Sequence, residues 1–235
     1  MDEIILSAAL ERAAEALHAD EKLWLYGMAR LVDLPLESEP TDEDFVRFID
    51  AAQAQSDFPS GPFGYIPSGF TQEVEPEFRM VGLHADAAPH LDVKIGLGVS
   101  GFVAVAFSRS DMFEDGVRRP GGVLLSDFES VLADTYALTV ATAAEIAYVG
   151  PVEVAFTILR GDALPQCTLF SLDPETGDFL VENSRLLSFE PLMDEFVITA
   201  PLNGGASAEV EASLEAVARR LARRFNQSRP QLLGR

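Results

Sequence analysis

The spacing of apolar side chains changes period several times along the chain, and each change marks an element. Leu91, Val93, Ile95, Leu97 and Val99 alternate with Asp92, Lys94, Gly96, Gly98 and Ser100, the period-two pattern of a strand. Ser100-Gly101 turns that strand back into Phe102–Ser108 as a hairpin. Val152, Val154, Phe156 and Ile158 alternate in the same way, and Glu77–His84 and Phe196–Ala200 read as further strands. Gln166–Leu172 and Phe179–Leu187 flank the turn Asp173-Pro174-Glu175-Thr176-Gly177 as another hairpin.

Helical spacing appears elsewhere. From Ser126 to Tyr148 there is no Gly or Pro, and Ser126 with Glu129 has the form of a capping box. Gly150-Pro151 closes this central helix. Val210, Leu214, Val217, Leu221 and Phe225 form the stripe of a last helix capped by Ser207, and the tail from Ser228 is expected to fray. Residues 3–18 read as a helix with Ile4, Ile5, Ala8, Ala9 and Ala13 on one side. Asp20 is placed to cap a second helix to about Val32, carrying Leu23, Trp24, Leu25, Tyr26, Met28 and Leu31. Gly27 in its middle implies close packing. Thr41 with Asp44 opens a third helix bearing Phe45, Phe48, Ile49 and Ala52.

The expected class is α+β: a largely antiparallel sheet of about seven strands, helices on one face, with 126–148 as the long central helix and a C-terminal helix. Residues 1–56 form an N-terminal helical segment and 77–226 an α+β domain. A Pro/Gly and aromatic connection at 57–76 and a tail at 227–235 complete one compact unit. The order helix, three strands, helix, strands, helix is similar to that of bacterial secretion chaperones, which are also small and acidic; no residue motif accompanies the likeness.

The 235 residues carry 38 acidic and 17 basic side chains, a net charge of −21, which repels nucleic acid and anionic membranes. Arginine and alanine are favoured over lysine, a bias of GC-rich bacterial genomes. The hydrophobic share of 48% rules out general disorder. A helix-turn-helix reading of the N-terminal segment fails on charge, because Asp42, Glu43, Asp44 and Asp50 face Arg47 alone. One cysteine, Cys167, excludes an internal disulfide. Asp2 and Glu3 replace the basic start of a secretion signal, and Ile95–Ser108 is too short to span a bilayer, so a cytoplasmic location is expected.

Gly96-x-Gly98-x-x-Gly101 matches the dinucleotide fingerprint in letters only, since a strand and not a helix follows. His84, Asp86, His90 and Asp92 have metal-ligand chemistry in a strand-to-strand loop. Arg118, Arg119, Gly121 and Gly122 precede the central helix, where guanidinium groups and backbone N–H groups suit an anion. Phe63, Tyr65 and Phe70 in the connecting loop, and Arg219, Arg220, Arg223 and Arg224 on the last helix, are the candidate partner-binding residues. The arginines would dock on an acidic surface: the chain's own body, a second copy or a partner.

No catalytic constellation stands out and no cofactor is implied. The favoured function is a non-enzymatic, adaptor- or chaperone-like protein that binds a protein partner, basic by charge complementarity, with a homo-oligomer as a further partner option. The alternatives are an enzyme of unrecognised class, with its site at His84–Asp92 or Arg118–Gly122, and an acidic inhibitor that imitates nucleic acid.

Overall fold

The fold was obtained as a computed structural model. It describes residues 3–19, 22–34, 41, 43, 47, 71–75, 80–84, 91–97, 101–109, 113–114, 117–118, 121–161, 167–173, 175–176, 179–186, 189–199 and 208–233. The class is α+β, built on a mostly antiparallel sheet.

Helix α1 (Glu3–Ala16) is followed by strand β1 (Trp24–Leu31), then β2 (Thr71–Glu75), β3 (Met80–His84), β4 (Leu91–Leu97) and β5 (Phe102–Arg109). Short strands β6 (Phe113–Glu114), β7 (Val117–Arg118) and β8 (Gly122–Leu124) lead into the central helix α2 (Leu125–Glu145). Strands β9 (Gly150–Leu159), β10 (Cys167–Leu172), β11 (Phe179–Leu186) and β12 (Leu192–Ile198) precede α3 (Ala208–Arg224). The main sheet runs β12-β9-β1-β5-β4-β3-β2, and β10 forms a second sheet between β11 and β8, antiparallel to the first and parallel to the other.

The segment expected as a second helix is therefore a strand, and it lies in the middle of the sheet between β5 and β9. Its two faces explain the misreading. Leu25, Ala29 and Leu31 join the core under α2, while Trp24, Tyr26 and Met28 join a second cluster with Ala13 of α1 and Leu17 just past its end. A strand covered on both faces reads as an almost unbroken apolar run, which periodicity alone does not separate from a buried helix. It also follows that helices cover both faces of the sheet and not one. Trp24 Nε1 donates to the Leu17 carbonyl at 2.9 Å and ties α1 to this strand. Of the expected third helix, only Thr41, Glu43 and Arg47 are described; the latter two are helical.

Helix α2 is enclosed on nearly all sides, with Phe128, Leu132, Tyr136 and Val140 each 0% exposed. Tyr136 stacks on Phe196 at 4.9 Å and on Phe156 at 6.1 Å. Inside this apolar setting the hydroxyls of Ser130, Thr135 and Thr139 donate to the carbonyls of Ser126, Val131 and Thr135, one turn back, which satisfies these three. At Gly27 the helix comes so close that a Cβ would stand 2.1 Å from Thr135 Oγ1. The close packing inferred from this glycine holds, in a strand.

The capping box is not formed. Leu124 is the N-cap, in extended conformation and without a side-chain bond, because α2 springs directly from β8. Ser126 sits inside the first turn, and Glu129 is turned into the core. There Glu129 is 0% exposed, and its carboxylate accepts from the backbone N–H of Gln231 (2.8 Å), Leu232 (2.6 Å) and Leu233 (3.1 Å). The tail is thus not frayed at these residues. Leu233 is buried in the core, and Gln227 Nε2 donates to the buried Ser171 Oγ at 2.9 Å.

The three helices described over their length, α1, α2 and α3, stop in one way. His18, Ala147 and Asn226 have φ of 48, 53 and 53°, and each stands just past a helix end. The following N–H reaches back five residues in each case: Ala19 to Ala14, Tyr148 to Ala143, Gln227 to Ala222. This is the Schellman closure, made without glycine. Gly150 belongs to β9, so the left-handed stop of α2 is Ala147, and α2 ends at Glu145 and not at Tyr148. Ala147→Gly is expected to stabilise the protein by about 1 kcal/mol, since glycine removes the left-handed cost of a Cβ. Thermal unfolding should show a midpoint raised by roughly 2–4 °C.

Candidate functional site

The arginines of α3 are the candidate residues that the structure places most fully. The apolar stripe of α3, Val210, Leu214, Val217, Leu221 and Phe225, is buried, which sets the arginines along its flank beside β12. Arg220 donates through Nη2 to Asp194 Oδ1 and through Nη1 to the Met193 carbonyl, both at 2.9 Å. Arg224 donates to the Glu190 carbonyl and lies 4.5 Å from the centre of the Phe189 ring. Burial lowers the pKa of Arg224, and Arg220 beside it acts in the same direction. Arg219 pairs with Glu215 one turn earlier, and Arg223 is exposed. Among the surfaces considered for this cluster, Arg220 and Arg224 occupy the chain's own body.

Asp194 joins α2, β12 and α3. Its Oδ2 lies 2.5 Å from Ser213 Oγ and 3.2 Å from the Tyr136 hydroxyl, and these two hydroxyls are 2.7 Å apart. Burial raises the pKa of Tyr136, so the phenol remains a neutral donor. With Arg220 on its other oxygen, the carboxylate is held by three donors. This is the chemistry of a clamp between helix and sheet, with its acceptors already engaged.

Arg118 lies in β7 and pairs through its backbone with Phe113, while Arg119 lies outside the described residues. Gly121, with φ of 81°, offers its carbonyl to Thr168 N–H at 3.0 Å, and Gly122 starts the parallel pairing of β8 with β10. The first turn of α2 holds Asp127, which Arg109 grips in two bonds of 2.7 and 3.0 Å. The cation described at this helix start is therefore Arg109, from the end of β5.

His84 ends β3 opposite Thr71, and Asp92 in β4 pairs with Lys22 at 2.5 Å. Asp86 and His90 lie outside the described residues, as do Phe63, Tyr65 and Phe70. Among the described residues no group of three His, Cys, Asp or Glu side chains is placed to hold a metal. Gly101 (φ 72°) leads into β5, a strand, as the reading against a dinucleotide site required. Cys167 is buried in β10, and burial pushes its thiol up to about 12, so it is a core side chain and not a nucleophile.

Sequence reasoning missed Glu129 and Asp194 as organising residues. The available signal was an acid within an apolar helical run at Glu129, and Leu232-Leu233 in an otherwise polar tail. Comparison with known protein families, with curated proteins and with solved structures finds no match. Among the described residues no helix is long and apolar enough to cross a membrane.

Proposed function

We propose that this chain is a non-enzymatic binding or assembly protein whose acidic surface recognises a basic protein partner. The observation that carries the reading is where the cations go. Lys22 pairs with Asp92, Arg30 with Glu153, Arg47 with Glu145, Arg109 with Asp127, Arg219 with Glu215 and Arg220 with Asp194. Among the described residues six basic side chains are thus engaged by the chain's own carboxylates, in a sequence whose net charge is −21. Such a field steers positively charged partners and disfavours anionic ones.

The test is a calorimetric titration with a lysine- and arginine-rich peptide and with its glutamate-rich counterpart. The basic peptide should bind, and its affinity should fall about tenfold or more between about 10 and 150 mM salt, as the screening length shrinks from about 30 to 8 Å. Lack of binding by basic peptides at the lower salt would refute the reading. Affinity capture from the native host then identifies the partner.

A further inference from the structure

Helix α3 buries one stripe and turns the other side to solvent, and the charges on that outer side are ordered. Glu211, Glu215, Arg219 and Arg223 are all exposed. Their spacing of four places them along one ridge of the helix, in the sequence acid, acid, base, base. The helix dipole favours acids in the first turn and bases in the last, but its reach ends there. It accounts neither for Glu215 and Arg219 near the middle nor for a single row.

Within one molecule the row is only partly satisfied. Glu215 and Arg219 pair one turn apart. Glu211 then stands one turn from the like-charged Glu215, and Arg223 one turn from Arg219, and such neighbours repel. Glu211 and Arg223 are about 18 Å apart along the axis, too far to meet. Among the described residues neither is held by an ion pair.

Turned end for end, the row is its own complement. A two-fold axis opposite Val217 sets Glu211 against a second copy's Arg223 and Glu215 against its Arg219, and the symmetry makes each pair twice. Ala212 and Ala216, exposed on the adjoining ridge, leave a groove for the long side chains of the other copy. Net charge selects the same face. The sequence carries −21, so two copies repel over most of their surface, whereas residues 208–233 hold five arginines against three acids, a local balance of +2.

We propose that the exposed ridge of α3 is a self-docking surface, on which two copies of this chain pair with their α3 helices antiparallel. This goes beyond the reading of a basic partner and does not depend on it. The contact is made by exposed charges, so it is weak and forms at high protein concentration.

The test exchanges the two halves of the row. One variant carries Glu211→Arg with Glu215→Arg, the other Arg219→Glu with Arg223→Glu. Glutamate and arginine are similarly good helix formers, so α3 is kept. Sedimentation at about 0.1–1 mM protein suits a weak dimer, and about 0.15 M salt shortens the screening length to about 8 Å, which damps the repulsion between whole molecules. The wild type should dimerise there. Each variant alone should dimerise about tenfold more weakly or less, and an equimolar mixture should regain a dimer, because an all-basic row then meets an all-acidic one. A wild type that stays monomeric over that range refutes the proposal. So does a dimer that both variants retain, since another surface then makes it, and so does a mixture no tighter than its components. Should a double variant not fold, Glu211→Gln and Arg223→Gln decide in its place: each removes one pair twice and should weaken the wild-type dimer about threefold, and no weakening by either overturns the assignment.

Discussion

Gly27→Ala is expected to lower the stability of the protein by about 3 kcal/mol or more, the upper range for overpacking a core. The new Cβ would stand 2.1 Å from Thr135 Oγ1 and 3.0 Å from the Phe156 ring. Neither neighbour has room to yield. Thr135 is 0% exposed, and its hydroxyl is bonded to the Val131 carbonyl at 2.8 Å. Phe156 lies in the stack with Tyr136, in the strand paired with Gly27 itself. Backbone movement is equally costly, because β1 is hydrogen-bonded to β5 on one side and β9 on the other. The melting midpoint should fall by roughly 6–12 °C. Thr135→Ala removes the nearest atom, so the double variant should recover part of the loss. A urea-unfolding cycle measures that coupling, and simple additivity would show that the two residues do not meet.

The second large effect concerns Glu129. Glu129→Ala leaves three backbone N–H groups in the interior without their acceptor, and a cost of about 3–5 kcal/mol is expected. Glu129→Gln keeps the shape but turns a donor toward donors, so it should not restore the wild-type value. A chain ending at Pro230 removes the same bonds from the other side, together with the buried Leu233. In the Glu129→Ala background that truncation should cost much less than alone, because the bonds are already gone. Hydrogen exchange gives a direct readout: the amides of Leu232 and Leu233 should be protected in the wild type and exchange quickly in Glu129→Ala.

The elements that sequence patterning located well are those with one covered face. The stripe from Val210 to Phe225 is buried, Val93 and Ile95 are buried between the more open Asp92, Lys94 and Gly96, and both elements stand where expected. Trp24–Leu31 failed for the opposite reason: α1 and α2 cover its two faces, and the polar half of the pattern disappears. Hairpin pairing was legible for β4 and β5, whereas the assignment of β10 and β11 to a separate sheet depends on β8, a three-residue strand with no periodicity of its own. Much of the candidate site was invisible for a chemical reason. Arg220 and Arg224 are recognised by backbone carbonyls of Met193 and Glu190, which every residue possesses. The bonds of Glu129 span more than a hundred residues, and no local rule links an acid in one helix to amides in a distant tail.

That separation has a consequence for biosynthesis. A ribosome delivers Glu129 long before residues 231–233, so the nascent chain carries an acid destined for the interior with its donors still untranslated. The central helix reaches its final environment only after those last amides have emerged, and until then the growing polypeptide should be the form most dependent on cellular folding assistance.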